Sequence, residues 1–166
     1  MFSNLIEYFI PPEYHETEES SRKSRLAIGA YLIVAIFSFI YSILNILAET
    51  WGGFASQFPL FVITVFCLFL YRWRLSPFRV AFIFFTEAII AISIAIYYTG
   101  GVDSFVLPWL ATTPIVALLV SGKWMGYYTL LGQLTMLTMF YIFDNYDIHP
   151  GSFDSGELPL FLVMTG

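Results

Sequence analysis

The chain has 166 residues, of which 58% are hydrophobic and only 11% are charged, and its formal net charge is −5. A soluble domain carries about 25% charged residues, so this composition favours a protein whose surface lies in a lipid bilayer. The chain has no cluster of basic residues that would bind nucleic acid. Its single cysteine, Cys67, excludes an intrachain disulfide and a cysteine-based zinc cluster.

Residues 1–25 are predicted to form a cytoplasmic N-terminal segment. Within it, Met1–Ile10 carries apolar residues at helical spacing, which predicts either a short helix at the membrane interface or a partly ordered tail. Pro11 and Pro12 end this stretch, and a polar, charged stretch leads to the membrane. Because Met1–Ile10 lacks the basic start of a signal peptide, we expect the chain to enter the membrane through its first span.

Residues 26–166 are predicted to form an all-α fold, a polytopic transmembrane helix bundle with five complete spans and the start of a sixth. The first apolar run, Leu26–Leu47, has 22 uncharged residues. At about 1.5 Å per residue such a helix crosses a hydrocarbon core of about 30 Å. The predicted spans are about 26–47, 54–71, 80–98, 105–120, 124–143 and 158 onward.

The last apolar run, 158–166, has nine residues and is too short to cross a bilayer as a helix. We therefore expect the sequence to be a fragment that is cut inside a sixth span. The alternative is a stub that folds back into the bundle.

The positive charges predict how the bundle is oriented. All of them lie before the first predicted span or in alternate connections, and the other connections carry none. These residues are Arg22, Lys23, Arg25, Arg72, Arg74, Arg79 and Lys123. Because Lys and Arg in short loops stay in the cytoplasm, the N-terminus is predicted to be cytoplasmic. A completed sixth span would return the chain to the cytoplasm.

Glu87 is the sharpest candidate for a functional residue, because it is the one charged residue inside the predicted spans. A carboxyl group in a bilayer is costly and favours its neutral form. Glu87 can therefore serve as a proton relay or bind a polar ligand. The structural alternative is a protonated Glu87 that bonds a neighbouring helix through Thr112, Thr113, Gln133 or a backbone carbonyl.

Proline and polar residues mark the fourth and fifth spans. Pro108 lies in the first turn of the fourth span and Pro114 in its middle, so both are hinge candidates, although a static kink is as plausible. Thr112 and Thr113 can satisfy backbone groups that Pro114 frees, and they are also ligand-binding candidates. Gln133 belongs to a polar face of the fifth span, for which helix packing is the preferred interpretation.

The external turn at Gly100–Ser104 is a further candidate for ligand binding. Its glycines favour a turn, and Asp103 or Ser104 can cap the next helix. Elsewhere the sequence has no zinc-ligand spacing, no phosphate-binding glycine loop and no nucleophile–base set. We therefore expect no metal, no cofactor and no enzymatic activity in this chain.

Three stretches resemble the N-terminal six-helix membrane sensor or anchor domains of bacterial signalling proteins. They are the lead-in Pro11–Tyr14 with Arg22–Arg25, the external turn Thr99–Ser104 followed by Pro108, and the inner turn Gly122–Gly126. Such domains precede sensor histidine kinases, class III adenylate cyclases and diguanylate cyclases. The resemblance implies a multi-pass protein of the bacterial cytoplasmic membrane, a homodimer, and an effector domain in the same chain beyond Gly166.

Two hypotheses follow. In the first, the bundle is a sensor or anchor that passes a signal, for instance from a small lipophilic ligand, to a cytoplasmic kinase or cyclase. In the second, it is a fragment of a small transporter or channel that uses Glu87. A purely structural membrane subunit remains a third interpretation.

Overall fold

The computed structural model describes residues 2–15, 18–99, 104 and 106–145, and this part of the chain contains helices and no strand. The helices are α1 (Phe2–Phe9), a short 3-10 helix (Pro12–His15), α2 (Glu18–Leu47), α3 (Trp51–Arg72), α4 (Pro77–Tyr98), α5 (Pro108–Ser121) and α6 (Lys123–Asn145). The prediction of an all-α fold is confirmed for these residues. The predicted sixth span, from 158 onward, lies outside them.

Three of the helices are long and apolar enough to cross a membrane. They are α2, α3 and α4, whose most apolar stretches have mean hydropathies of 2.3, 2.0 and 2.2. The fourth predicted span coincides with α5, a shorter apolar helix of 14 residues. The location of the protein in a membrane therefore rests on α2, α3 and α4.

The helix α2 begins at Glu18, well before the apolar run that starts at Leu26. Glu18 and Glu19 occupy its first turn, where the partial positive charge of the helix end favours carboxylates. Lys23 donates to Glu19 Oε1 over 2.5 Å, one helical turn away. This hydrogen bond and the charge of Lys23 lower the pKa of Glu19 below its ordinary value. Local electrostatics thus extend α2 beyond the apolar segment.

The order of packing follows the chain. The helix α2 packs on α3, α3 on α4, and α5 on α6, while α4 also contacts α5 and α6. Consecutive helices joined by short connections run antiparallel, so α4 and α6 are parallel to each other. The helix α4 therefore joins a group formed with α2 and α3 to the α5–α6 hairpin.

The core has a large cluster at one end of the bundle and a small one at the other. The large cluster contains buried residues from the start of α2, the end of α3, the start of α4, and the α5–α6 turn. Its members include Ile28, Tyr31, Cys67, Tyr71, Val80, Phe84, Phe85, Ala117 and Met125. The small cluster comprises Ile96, Leu110 and Phe140. We call the end with the large cluster the basic end, because Arg22, Lys23, Arg25, Arg72, Arg74, Arg79 and Lys123 lie around it.

Two glycines make close helix connections possible. Gly122, between α5 and α6, has a φ of 90°, which favours glycine. Gly52, at the start of α3, lies against the end of α4, where a Cβ atom would be 2.3 Å from Tyr98 Cγ. The helices α3 and α4 therefore approach closely at the end of the bundle opposite to the basic end.

Candidate functional site

Glu87 lies in the middle of α4 on a stripe that faces α3. Val80, Phe84 and Glu87 share this stripe because they are spaced by three or four residues. The Cys67 thiol of α3 lies 3.9 Å from the Val80 carbonyl oxygen. Glu87 is half-buried, and its carboxyl group makes no hydrogen bond among the residues described. The carboxyl group thus borders the α3–α4 interface and remains partly accessible.

The threonines before Pro114 bond to their own helix. Thr112 Oγ1 donates to the Trp109 carbonyl over 2.9 Å, and Thr113 Oγ1 donates to the same oxygen over 3.0 Å. Thr112 is exposed, whereas Thr113 is 9% exposed. Their hydroxyl groups are therefore engaged on α5 and not on Glu87.

Gln133 is a buried polar residue of α6 with an unsatisfied amide. Its side chain is 3% exposed, and its Nε2 has no hydrogen-bond partner, the one buried side-chain nitrogen or oxygen in this state within the described residues. Gly126, seven residues earlier on the same helix face, lies against Leu118 of α5. Gln133 therefore faces α5.

The structure brings some of the predicted site residues together and separates others. Thr113 and Gln133 are buried residues of α5 and α6, two helices that pack on each other. Glu87 faces α3 instead, while the neighbouring Thr86 of α4 contacts α6 through a 2.8 Å hydrogen bond with the Tyr128 hydroxyl. Glu87 thus belongs to α4, whereas Thr113 and Gln133 belong to the α5–α6 hairpin.

The turn before α5 is described only in part. Asp103 lies outside the described residues, so its predicted role stays a prediction. Ser104 is buried, forms a short hydrogen bond with Thr99, and accepts a 3.1 Å bond from the Val106 N–H. Pro108 is the first residue of α5, where a proline needs no N–H donor. Ser104 therefore ties the end of α4 to the start of α5.

The sequence did not reveal the contacts that α1 makes at the basic end. Arg25 Nε lies 2.8 Å from Glu7 Oε1, and the Arg72 guanidinium lies 4.9 Å from the Tyr8 ring centroid. The Phe9 ring packs edge-on against Phe69, with centroids 6.0 Å apart. The apolar spacing of Met1–Ile10 signalled a helix, but only tertiary structure reveals where it docks. Two of the predicted topology determinants, Arg25 and Arg72, thus also hold α1 against α2 and α3.

The described residues offer little for metal or cofactor chemistry. They contain no group of three or more His, Cys, Asp or Glu side chains placed to hold a metal ion. What they do contain is a long-helix bundle with a half-buried carboxyl group and a buried, unpaired amide.

Comparison with known proteins decides the family. The MASE6 family model matches residues 17–155, which include all of α2 to α6. The chain belongs to the MASE6 family of membrane-associated sensor domains. No curated protein and no solved structure matches the chain. The MASE6 region starts after α1 and the 3-10 helix, so these elements precede the part that matches the family. Membership supports a membrane location and a sensory role for the bundle, and it indicates that this chain is not itself catalytic.

Proposed function

We propose that the chain is the membrane anchor and sensory input domain of a bacterial signal-transduction protein. The observation that carries this proposal is the MASE6 match across α2 to α6. The effector is a histidine kinase or nucleotide cyclase that follows in the same polypeptide beyond Gly166. The bundle acts as a homodimer, because kinases and cyclases of this kind work in pairs.

The distribution of charge supports a cytoplasmic output. All seven Lys and Arg residues belong to the basic end, and the positive-inside rule puts this end in the cytoplasm. In our proposal α2 to α6 form five complete spans of the bacterial inner membrane, and the run from 158 onward begins the sixth. The N-terminus and the effector then lie on the same side of the membrane.

The relay uses the packing of the α5–α6 hairpin on α4. Pro114 interrupts the hydrogen bonding of α5, and α4 connects the hairpin to α2 and α3. A ligand that binds one arrangement of the hairpin more tightly than another shifts the population between them. The shift alters the position of the proposed sixth span, which follows α6. It therefore changes how the two effector domains of the homodimer contact each other.

A fusion of the whole chain to a cyclase reporter, joined through a helical linker, tests the sensory role. Candidate lipophilic compounds are added to cells or nanodiscs, and cyclic-nucleotide production is measured against the reporter fused to an unrelated membrane anchor. We expect at least one compound to change the output of the chain's fusion and not that of the control. An output that never responds would leave an anchor without a sensory role.

Glu87 supports a second candidate function, a small transporter or channel. Its half-buried carboxyl group belongs to the middle of α4, which in our proposal spans the membrane. This function predicts pH-dependent proton or cation flux in proteoliposomes. The Glu87→Gln variant, which cannot ionise, would remove the pH dependence. The absence of flux from the unaltered chain would reject this candidate and leave the sensory proposal intact.

A further inference from the structure

The buried amide of Gln133 lacks the hydrogen bond that a membrane interior demands. In a bilayer no water is at hand to satisfy a polar group, so an unpaired amide is costly and usually has a partner in some state of the protein. Gln133 is 3% exposed and its Nε2 has no partner among the described residues. A donor is therefore available inside the α5–α6 interface.

An acceptor lies at the same level on α5. Because Pro114 has no N–H, the carbonyl group of Leu110, four residues earlier, lacks its usual helical donor. The hydroxyl groups of Thr112 and Thr113 both donate to the Trp109 carbonyl. They therefore do not supply a donor to the Leu110 carbonyl. Leu110 is 3% exposed. From the missing N–H of Pro114 we therefore expect the Leu110 carbonyl group to have unused bonding capacity.

The register of the hairpin indicates that Gln133 and Leu110 lie at nearly the same level. Gly126 lies against Leu118, where an added Cβ would be 3.1 Å from the Leu118 Cβ. In an antiparallel pair, each step forward on α6 corresponds to one step back on α5. Gln133, seven residues after Gly126, therefore lies level with residue 111, next to Leu110.

We infer that the α5–α6 interface binds the hydroxyl group of a small apolar molecule, between the Gln133 amide and the Leu110 carbonyl. A hydroxyl group accepts a hydrogen bond from the Gln133 amide and donates one to the Leu110 carbonyl, so it supplies the missing partner of both groups. Leu110 belongs to a small apolar cluster with Ile96 and Phe140, which suits a hydrocarbon body. This inference rests on the proposed sensory function and names the chemical class of its stimulus, an alkanol or a phenol.

Other ligand classes fit less well. A ketone or an ether accepts from Gln133 but gives the Leu110 carbonyl no donor, and an alkane serves neither group. A charged amine or carboxylate would bring an unpaired charge into the membrane interior. The pair of one free donor and one free acceptor therefore selects a hydroxyl group.

The test is photolabelling of the full chain in nanodiscs with an octanol that carries a diazirine. Labelled residues are located by mass spectrometry, with 1-octanol and octyl methyl ether as competitors. We expect adducts on α5 and α6 that 1-octanol suppresses and the ether does not. Gln133→Met should weaken competition by 1-octanol about fivefold, the value of one hydrogen bond in a membrane. Thr138→Val, which removes an exposed hydroxyl from the same helix, should leave it unchanged.

A second variant keeps the test decisive. Pro114→Ala restores an N–H for the Leu110 carbonyl and should also weaken competition by 1-octanol, even if Gln133→Met does not fold. Equal competition by the ether, or competition that neither variant weakens, would overturn the site and leave a bound water as the simplest partner of Gln133. Labelling that is specific while the cyclase fusion ignores alkanols would support the site and contradict its sensory role. A fusion that responds to other compounds, without specific labelling, would support the sensory role and contradict the hydroxyl site.

Discussion

A side-chain hydrogen bond between Tyr71 and Ser24 joins α3 to α2 at the basic end. The Tyr71 hydroxyl donates to Ser24 Oγ over 2.9 Å, and both side chains are buried. The Tyr14 ring of the N-terminal segment packs on Tyr71, with centroids 5.8 Å apart. This contact therefore connects the membrane helices to the segment that precedes them.

Removing either partner of this bond should destabilise the bundle. Ser24→Ala leaves the buried Tyr71 hydroxyl unpaired, so we expect the free energy of unfolding to fall by about 1–2 kcal/mol. Tyr71→Phe should have a similar effect, and the double variant should lose less than the sum of the two. Ser76→Ala, at an exposed position without a side-chain capping bond, is the control. Additive losses in denaturant titrations in detergent would contradict this coupling.

Sequence alone identified some of these residues and could not have identified others. Glu87 stands out because a charge in an apolar run is visible from the amino-acid pattern. The unpaired amide of Gln133 is not visible in this way, since the satisfaction of a polar group depends on what the facing helix presents. The same holds for Tyr71 and Ser24, which are far apart in the sequence and meet only in the fold.

At the scale of elements, the helix ends follow rules that hydropathy does not capture. The apolar run predicted a first span from Leu26, whereas α2 begins at Glu18 because a helix start favours acidic residues. The existence of the helices was predictable, since long apolar runs have few other solutions in a membrane. Their packing partners were not predictable, because α4 contacts three other helices, α3, α5 and α6.

The close approach of α3 and α4 depends on Gly52. An added Cβ at Gly52 would lie 2.3 Å from Tyr98 Cγ, so the Tyr98 side chain or the backbone must shift in Gly52→Ala. We expect this variant to lower the unfolding free energy by about 1–3 kcal/mol. Gly29→Ala is the matched control, because nothing lies within 4 Å of its added Cβ. If both variants unfold at the same denaturant concentration, α3 and α4 do not pack as described.

Pro114 of α5 should affect signalling more than a proline elsewhere in the bundle. Pro114→Ala restores a helical hydrogen bond and stiffens α5, so we expect it to reduce the ratio of stimulated to basal output in the cyclase fusion. Pro59→Ala removes the proline inside α3 and is the matched control. Equal effects of the two variants on this ratio would show that Pro114 has no special role as a hinge.

For the whole molecule, the apolar surface favours a location in the membrane, and the distribution of Lys and Arg predicts how the bundle is oriented in it. The bundle presents many large apolar side chains outward, such as Ile36, Phe66 and Leu131. In water this surface would drive aggregation, whereas in a bilayer it is solvated. In our proposal the basic end lies in the cytoplasm, on the same side of the membrane as the proposed effector. The orientation is thus the claim on which the proposed output depends.

Labelling of single cysteines in spheroplasts of an expressing bacterium tests this claim most directly. Glu49→Cys lies between α2 and α3, Ser76→Cys lies between α3 and α4, and both positions are exposed. The unaltered chain, whose Cys67 is buried, is the control. A membrane-impermeant maleimide should label position 49 in intact spheroplasts and position 76 only after permeabilisation. The opposite pattern, or labelling of both positions in intact spheroplasts, would contradict a bundle that spans the membrane with its basic end in the cytoplasm.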